Sequence, residues 1–464
     1  MTFLVLWGEK MNKEKRVFEI LENKNVDFKK EIVAGITTFL TMAYIIAVNP
    51  SILSATGMDQ GALVTATCLA AAIATILMGV FANLPFALAS GMGLNAYFAF
   101  SVVIGKGISW EIALTAVFVE GIIFILMSLF KVRQAVVKAI PMNMKYAVTA
   151  GIGLFIAFIG LTGSKIVVDN PDTFLALGHF TTPTVIIALI GVVVIAVLDK
   201  KGVKASILFG ILVSTLLAWG YAMFNPEYAA SLGIYLPNGI IKFESIAPIA
   251  GKLDFGYMLN PNTIWTFITV VCTFLFVDFF DTIGTLVGVT SRAGMLDKDG
   301  NIPNVGKALM VDAIGTTAGA CLGVSTVTTF VESSTGVAAG GRTGWTSVTT
   351  GLLFLVAMFF SPIFVAIPAC ATAPALIYVG YLMLGAVKNI DFNEITEGFP
   401  AFITIAAMPL TYSIGDGLTL GVLAYVFINV LYNTFFIKKR EEKKKISIVM
   451  IVLAIVFLFK LFLL

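Results

Sequence analysis

Hydrophobic residues occur along this chain in long runs, and short polar or charged stretches separate one run from the next. Most runs approach the roughly 20 residues that an α-helix needs to cross a bilayer. We number the predicted segments 1 to 14 in chain order: 32–48, 62–81, 86–103, 112–130, 146–161, 185–198, 207–224, 263–289, 308–323, 325–342, 346–360, 364–387, 401–412 and 418–437. The pattern predicts an all-α polytopic membrane protein with 14 transmembrane segments.

The two ends of the chain differ from this pattern. Residues 10–31 are charged and helix-prone, which predicts a cytoplasmic surface helix. The opening MTFLVLW is too short for a secretory signal, and Met11 is an alternative start. At the other end, a basic linker at 438–445 precedes a further apolar stretch, 446–464. The sequence leaves open whether that stretch crosses the bilayer or lies at its interface.

Composition agrees with a membrane protein and argues against an enzyme. The chain is 58% hydrophobic and 12% charged, whereas a soluble domain has roughly 25% charged residues. The four cysteines stand apart within apolar runs, and His179 lies in a polar loop. Neither metal-ligand spacing, a nucleophile elbow nor a phosphate loop occurs. We therefore predict no cofactor and no metal, and a lipid bilayer rather than nucleic acid as the surrounding partner.

The positions of the basic residues predict the orientation of the chain. With the N-terminus inside and the segments alternating, 25 Lys and Arg residues fall on the inner side. Only Lys106, Lys165, Lys242 and Lys252 fall outside. Positive residues concentrate on the cytoplasmic side of membrane proteins. The bias supports fourteen crossings with the N-terminus cytoplasmic.

Similar stretches recur seven segments apart. AIPMNMKYAVTAGIGLFIAFIG (139–160) opens segment 5, and AIPACATAPALIYVGYLMLG (366–385) opens segment 12. Segments 3 and 10 are both interrupted by glycine and polar residues, and segments 1 and 8 correspond in the same way. Because seven is an odd number of crossings, the two copies of each stretch have opposite orientations in the membrane. The pattern therefore predicts two inverted repeats of seven helices. Interrupted segments at matching positions are typical of transporter binding sites.

Carboxylates at membrane depth are the strongest functional signal. Asp278 and Asp281 lie inside segment 8, and Glu332 lies inside segment 10. A charge at the bilayer centre costs about 3 kcal/mol on insertion scales, so such residues normally face a protein interior or a substrate pathway. Helix capping and structural hydrogen bonds are the alternative roles, most of all for Asp278. The segment 10 sequence TTFVESSTG predicts a short extended stretch followed by a short helix.

Segment 3 has a matching interruption, with Gly91, Gly93 and Asn95. Asn95 offers both a donor and an acceptor, although a helix–helix hydrogen bond would also account for it. Carboxylates and exposed strand backbone suit a flat, neutral ligand with ring N–H donors. Aromatic rings near these positions are candidates for stacking on such a ligand: Phe279, Phe280, Phe330 and Tyr97. An anionic substrate is disfavoured because segments 3 and 10 carry no Lys or Arg before Arg342.

Four motifs resemble one known family. They are AGITTFLTMAYIIAVNP (34–50), GMGLNAYFAF (91–100), FDTIGTLVGV (280–289) and TFVESSTGVAAGGRTG (329–344). These motifs are similar to those of the AzgA-like purine permeases, within the nucleobase:cation symporter-2 superfamily, and the resemblance runs from about residue 15 to 437. It implies short β-strands in segments 3 and 10, and a core domain (segments 1–4 and 8–11) that moves against a gate domain (segments 5–7 and 12–14), usually within a homodimer.

The same resemblance implies roles for individual residues. It assigns substrate binding to Asp281, Glu332 and Asn95, with Thr329, Phe330, Val331 and Thr285 around them. Proton coupling falls to Glu332, Asp281 or Asp278. Some superfamily members carry a histidine at the position of Thr285, so coupling by histidine is not expected here.

The resulting hypothesis is proton-coupled import of hypoxanthine, guanine or adenine across the cell membrane. Na⁺ in place of H⁺ stays open. So does an anion transporter or channel on the same fold, for which a cation near the start of segment 10 would be expected where Glu332 stands. The predicted regions are 1–31, a cytoplasmic segment; 32–130 and 263–361, core; 131–224 and 362–437, gate; 225–262, an extracellular connection; and 438–464, the linker and final apolar stretch.

Overall fold

The computed structural model describes residues 26–130, 140–292, 304–437 and 445–463, and every structural statement below concerns these residues. The helices of segments 1 to 7 are Phe28–Met42 with Ile45–Leu53, Gln60–Leu77, Met92–Ala96, Trp110–Leu129, Met142–Gly163, Pro183–Lys200 and Ser206–Phe224. Those of segments 8 to 14 are Ile264–Arg292, Val305–Leu322, Ser333–Ala338, Gly344–Ala357, Ala369–Leu384, Ile395–Leu410 and Ile414–Phe435. Short helices Pro226–Ser231, Gly256–Leu259 and Ser361–Val365 lie in connections, and a last helix is Ile448–Leu463.

Most predicted segments match a helix within a few residues, since apolar length is what the bilayer selects. Nine described helices are long and apolar enough to span a membrane, and five further apolar helices are shorter. The shorter group includes the second half of segment 3, which continues from Met92–Ala96 into the π-helical turns Tyr97–Ile104. The all-helical membrane fold is thus confirmed.

Two boundaries predicted from hydropathy were wrong. Segment 13 was placed at 401–412 but begins at Ile395, with Pro400 inside its first turns. Segment 1 begins at Phe28, before the apolar run, and includes Glu31. Glu31 is only 4% exposed. Its carboxylate accepts hydrogen bonds from the backbone N–H groups of Arg342 and Thr343. A residue that the sequence suggests is exposed is therefore buried, and its side chain caps these backbone groups.

Four short strands form two separate pairs. In segment 3, β1 (Leu88–Ser90) pairs antiparallel with β4 (Val327–Thr329) of segment 10. The β2 (Val167–Asn170) and β3 (Phe174–Leu177) strands form a hairpin in the polar loop between segments 5 and 6, which hydropathy did not predict. The predicted broken segments therefore meet each other in the folded chain.

Glycine allows helices of the two repeats to approach each other closely. A Cβ added to Gly153 of segment 5 would lie 2.5 Å from the Cβ of Met383 in segment 12. A Cβ on Gly351 of segment 11 would lie 2.6 Å from Ile76 Cγ1 in segment 2. Segments 5 and 12 thus pack together, as do segments 2 and 11. Small residues permit close backbone packing inside membranes, where helices gain no hydrophobic energy by leaving lipid.

The last helix, Ile448–Leu463, packs against segments 14 and 8. Met450, Leu453 and Phe457 are buried at 1%, 4% and 1% exposure. The ring of Phe457 meets the ring of Phe276 in segment 8 at a centroid distance of 6.2 Å. This helix is therefore docked along one face on the rest of the protein. The predicted N-terminal surface helix lies almost wholly outside the described residues.

Candidate functional site

The pairing of β1 with β4 forms the centre of the candidate site. Leu88 lies opposite Thr329, and Ser90 lies opposite Val327. The pair is extended at both ends, because Phe330 N–H donates to the Ala87 carbonyl (2.9 Å) and Gly91 N–H donates to the Thr326 carbonyl (3.0 Å). Two short strands satisfy each other where lipid could not satisfy free backbone groups.

Side chains from the neighbouring helices complete this strand pair. The Thr75 hydroxyl of segment 2 accepts from Leu88 N–H at 2.9 Å and lies 3.0 Å from the Leu88 carbonyl. The Ser333 hydroxyl accepts from Ala87 N–H at 2.9 Å. Backbone groups of the interrupted segment 3 are thereby held by side chains of segments 2 and 10.

Glu332 lies at the start of the short helix Ser333–Ala338, three residues after the end of β4. Its Oε1 accepts a hydrogen bond from the hydroxyl of Tyr44 at 2.6 Å. Tyr44 itself is fully buried between the two helices of segment 1. The Glu332 side chain makes no capping hydrogen bond to the helix Ser333–Ala338. Helix capping, the alternative role considered from the sequence, therefore does not account for this carboxylate. A buried tyrosine thus sets the position of this carboxylate.

Asp281 of segment 8 lies close to the same strand pair. Thr328 of β4 is within hydrogen-bonding reach of the Asp281 carboxylate, and Glu332 is near enough to interact with it electrostatically. A Cβ added to Gly91 would lie 3.7 Å from Asp281 Oδ2 and 2.7 Å from Thr328 Cγ2. The carboxylates predicted from segments 8 and 10 are therefore brought together across β4, beside the backbone of segment 3.

Asp278 faces a different set of partners. The Thr282 hydroxyl lies 3.0 Å from Asp278 Oδ1 and 3.1 Å from Asp312 Oδ2 of segment 9. It also lies 3.1 Å from the Thr328 hydroxyl. All four of these residues are buried to 1% exposure or less. Asp278 is thus part of a closed network of hydroxyls and carboxylates that joins segments 8 and 9 to β4.

Asn95 is fully buried and bonds within its own segment. Its Oδ1 accepts from the Ser90 hydroxyl at 2.7 Å, and its Nδ2 donates to the Ser90 carbonyl at 3.5 Å. These contacts hold β1 to the helix that follows it. A helix–helix bond was the expected alternative role, and the bonds found here lie inside segment 3 instead.

The remaining predicted binding residues differ in their surroundings. The Thr329 hydroxyl is buried and has no hydrogen-bond partner among the described residues. Phe330 is 5% exposed and Val331 is 42% exposed. The Thr285 hydroxyl donates to backbone carbonyls of Asp281 and Thr282 on its own helix. Thr329 therefore offers an unused hydroxyl beside the strand pair, whereas the hydroxyl of Thr285 is engaged with its helix.

The aromatic candidates mostly face other helices. Phe279 stacks on Phe124 of segment 4 with a centroid distance of 6.4 Å. Tyr97 meets Phe274 edge-on at 4.8 Å. The side chain of Phe280 lies outside the described residues. Packing between helices thus accounts for Phe279 and Tyr97. Among the described aromatic candidates this leaves Phe330, two residues before Glu332.

Three buried polar residues near the site were not singled out from the sequence: Tyr44, Glu120 and Asp312. Glu120 of segment 4 is fully buried and accepts from the Thr326 hydroxyl at 2.9 Å. Glu120 and Asp312 both stand inside apolar runs, and the same signal identified Asp278 from the sequence. Tyr44 gave no such signal, because a tyrosine in an apolar run is common where its hydroxyl finds a partner. In the part of the chain that the structure describes, no group of three His, Cys, Asp or Glu residues could hold a metal.

Comparison with known proteins identifies relatives along most of the chain. A model of the Xan_ur_permease permease family matches residues 29–420. The protein MJ0326 of Methanocaldococcus jannaschii is 50% identical over 411 residues, 88% of this chain and 91% of the relative. The adenine permease AdeP of Escherichia coli is 40% identical, covering 89% and 90% of the two chains. The guanine/hypoxanthine permease PbuO of Bacillus subtilis is 41% identical, covering 96% and 99%.

A solved structure with a similar fold is the transmembrane domain of a cyanobacterial bicarbonate transporter, BicA. It aligns with a TM-score of 0.63 at 15% identity and covers 85% of this chain and 97% of that domain. The likeness confirms the predicted fold of two inverted repeats of seven segments with core and gate domains. With the family model and the curated relatives, it leads to one assignment: the chain belongs to the permease family of nucleobase–ascorbate transporters.

Proposed function

We propose that this permease imports the purine nucleobases hypoxanthine, guanine and adenine by proton symport. Relatives about 40% identical over nearly the whole chain are named adenine and guanine/hypoxanthine permeases. The adenine and the guanine/hypoxanthine permeases are equally similar to this chain, so the preferred purine is a matter for competition experiments.

The observation that carries the proposal is that two carboxylates lie near β4. Glu332 stands three residues after the strand, and Asp281 approaches Thr328 of the strand from segment 8. Purine rings present N–H donors in a plane, and carboxylates are strong acceptors for such donors. Strand backbone and the Thr329 hydroxyl add neutral partners nearby. We assign substrate binding to Asp281, Glu332, Asn95, Thr329, Phe330, Val331 and Thr285.

Proton coupling is assigned to Glu332 and Asp281, with Asp278 behind them. Burial disfavours the charged form of a carboxylate, and two nearby carboxylates disfavour it further. In the proposal, one of the pair takes up a proton as the purine binds, which removes a charge from the site before it moves. Asp278 is linked to Asp281 through Thr282 and Thr328.

Movement of the core domain against the gate domain would carry the site across the membrane. We place residues 32–130 and 263–361 in the core and residues 131–224 and 362–437 in the gate. Segments 2 and 11 pack together on one side of this division, and segments 5 and 12 on the other, which supports it. We also propose that the protein works as a homodimer in the cell membrane with its N-terminus in the cytoplasm.

An anion transporter on the same fold is the competing function. Its site would need a cation or free N–H groups where Glu332 and Asp281 stand. Two carboxylates in that place repel an anion, because like charges in a low-dielectric interior interact strongly. The likeness to a bicarbonate transporter is one of fold, at 15% identity.

The test is uptake of radiolabelled hypoxanthine by purine-transport-deficient cells that express the protein, with adenine, guanine, xanthine, uracil and sulfate as competitors. We expect saturable uptake that a subset of purines competes and sulfate does not. A protonophore should abolish accumulation, whereas removal of Na⁺ should not. Uptake that survives collapse of the proton gradient would refute proton symport. Absence of uptake, with the protein shown in the membrane, would refute the purine assignment.

A further inference from the structure

A cavity lies between the last helix and segments 4 and 8, and none of the proposed purine-binding residues lines it. Its volume is about 250 Å³. Every described side chain that lines it is apolar, and the lining includes Phe124, Phe276, Val449 and Leu453. The last helix lies beyond residues 29–420 that the family model matches.

The inner wall of the cavity is buried and packed, and its outer wall is exposed. Phe124 is 1% exposed and stacks on Phe279, which fixes the inner wall. On the last helix, Leu453 is 4% exposed, whereas Ile448 and Val452 are 79% and 53% exposed. All three line the cavity. Because two lining residues are also surface residues of an apolar helix, the cavity opens sideways onto the bilayer.

The apolar lining of the cavity favours a hydrocarbon chain as its occupant. A cavity needs two to four polar partners to hold an ordered water, and this lining provides none from its side chains. An acyl chain that is already in lipid gains nothing by leaving water, so closer packing alone would hold it in the cavity. Close packing is what a preformed slot between three helices supplies.

A charge just before the last helix indicates which lipid would bind. Lys445 is exposed and stands three residues before Ile448, which lines the cavity. A cation near the membrane surface attracts an anionic lipid headgroup. We propose that the cavity binds one acyl chain of an anionic phospholipid whose headgroup lies beside Lys445. The bound lipid fastens the last helix, which also contacts segment 14, to segments 4 and 8.

The test uses purified full-length protein in nanodiscs that contain a phospholipid with a photoactivatable diazirine on one acyl chain. The probe is phosphatidylglycerol in one arm and phosphatidylcholine in the other. After illumination, mass spectrometry maps the labelled peptides. We expect labelling by phosphatidylglycerol to concentrate on Met127 and Val449, above that on Leu216, a lipid-facing residue of segment 7 that is 56% exposed.

Three variants separate this site from general lipid contact. Val449→Phe fills the cavity, and we expect labelling of Met127 to fall to the level of Leu216, because an acyl chain no longer fits between the three helices. Ile455→Phe adds the same bulk on the same helix outside the lining, at a residue 48% exposed, and should change nothing. Lys445→Gln should remove the preference for phosphatidylglycerol over phosphatidylcholine.

Two results would overturn the proposal. Labelling of Met127 and Val449 no stronger than that of Leu216 would show ordinary lipid contact. Equal labelling by both headgroups in the unaltered protein would refute the anionic lipid. Val452→Phe, which narrows the mouth instead of filling the interior, serves as a second variant if Val449→Phe unfolds in a thermal melt. Neither outcome depends on purine transport.

Discussion

Glu332 is the residue on which the proposed purine site depends most. Replacing it by alanine should abolish detectable purine binding, because a hydrogen bond to a charged group contributes about 1.5–3 kcal/mol, or roughly 10- to 100-fold in affinity. Glu332→Gln should keep partial affinity and alter specificity or coupling, since the amide offers one acceptor and adds a donor. Binding is measured as thermal stabilisation of purified protein by hypoxanthine.

The control for this prediction is Glu227→Ala, because Glu227 is an exposed acid in the connection after segment 7. It should bind and transport as the unaltered protein does. Full transport by Glu332→Ala would refute the assigned site.

Tyr44 acts through Glu332 and not on the purine itself. Tyr44→Phe removes the 2.6 Å hydrogen bond to Glu332 and keeps the buried ring. We expect KM for hypoxanthine uptake to rise about tenfold, with a shifted pH profile, because the carboxylate loses its fixed position and one donor. Tyr97→Phe makes the same chemical change at another buried tyrosine and should leave both unchanged. An unaltered pH profile in Tyr44→Phe would show that its role is structural.

At the scale of elements, the strand pair depends on hydroxyls outside it. The single Thr75 hydroxyl serves both the N–H and the carbonyl of Leu88. Thr75→Val should lower the free energy of unfolding by about 1–3 kcal/mol, the cost of a buried backbone group left without a partner. Thermal melts in detergent measure this effect.

The matched control for Thr75 is Thr37→Val in segment 1, whose hydroxyl donates to the Val33 carbonyl of its own helix. The melting temperature of that variant should be close to that of the unaltered protein, because Val33 stays in the helix without the extra hydrogen bond from Thr37. Equal melting temperatures for the two variants would mean that Thr75 does not hold β1.

The broken segments were predicted from sequence, whereas their partnership was not. Glycine and polar residues in 86–103 and 325–342 do not fit a regular lipid-facing helix. Which backbone groups would satisfy each other depends on how the two repeats dock, and no local pattern specifies that. Segment 13 was placed too late because its first turns contain Glu397 and Pro400, which hydropathy treats as a connection although the turns are helical.

At the scale of the whole molecule, the charge bias makes a direct prediction of orientation. In a background with the four native cysteines replaced by alanine, Asp172→Cys in the β2–β3 hairpin should react with a membrane-impermeant maleimide in intact cells. Lys201→Cys, after segment 6, should react only in permeabilised cells. Both positions are exposed, so access to the reagent depends on the side of the membrane. The reverse pattern would invert the predicted topology.

Sequence by itself determined the class of the protein, its number of segments and the inverted repeat, and it showed that Asp281 and Glu332 stand inside apolar segments. The segments and the two acids are visible because the bilayer demands long apolar runs and makes every charge in them costly. The repeat is visible because similar stretches recur seven segments apart. Only the tertiary structure decided that β1 pairs with β4, that Tyr44 holds Glu332, and that Asp278 shares a network with Asp312. Those contacts join residues far apart in the chain. Which residues meet depends on how the helices dock, and hydropathy does not predict the docking because the outward surfaces of the helices are alike in hydropathy.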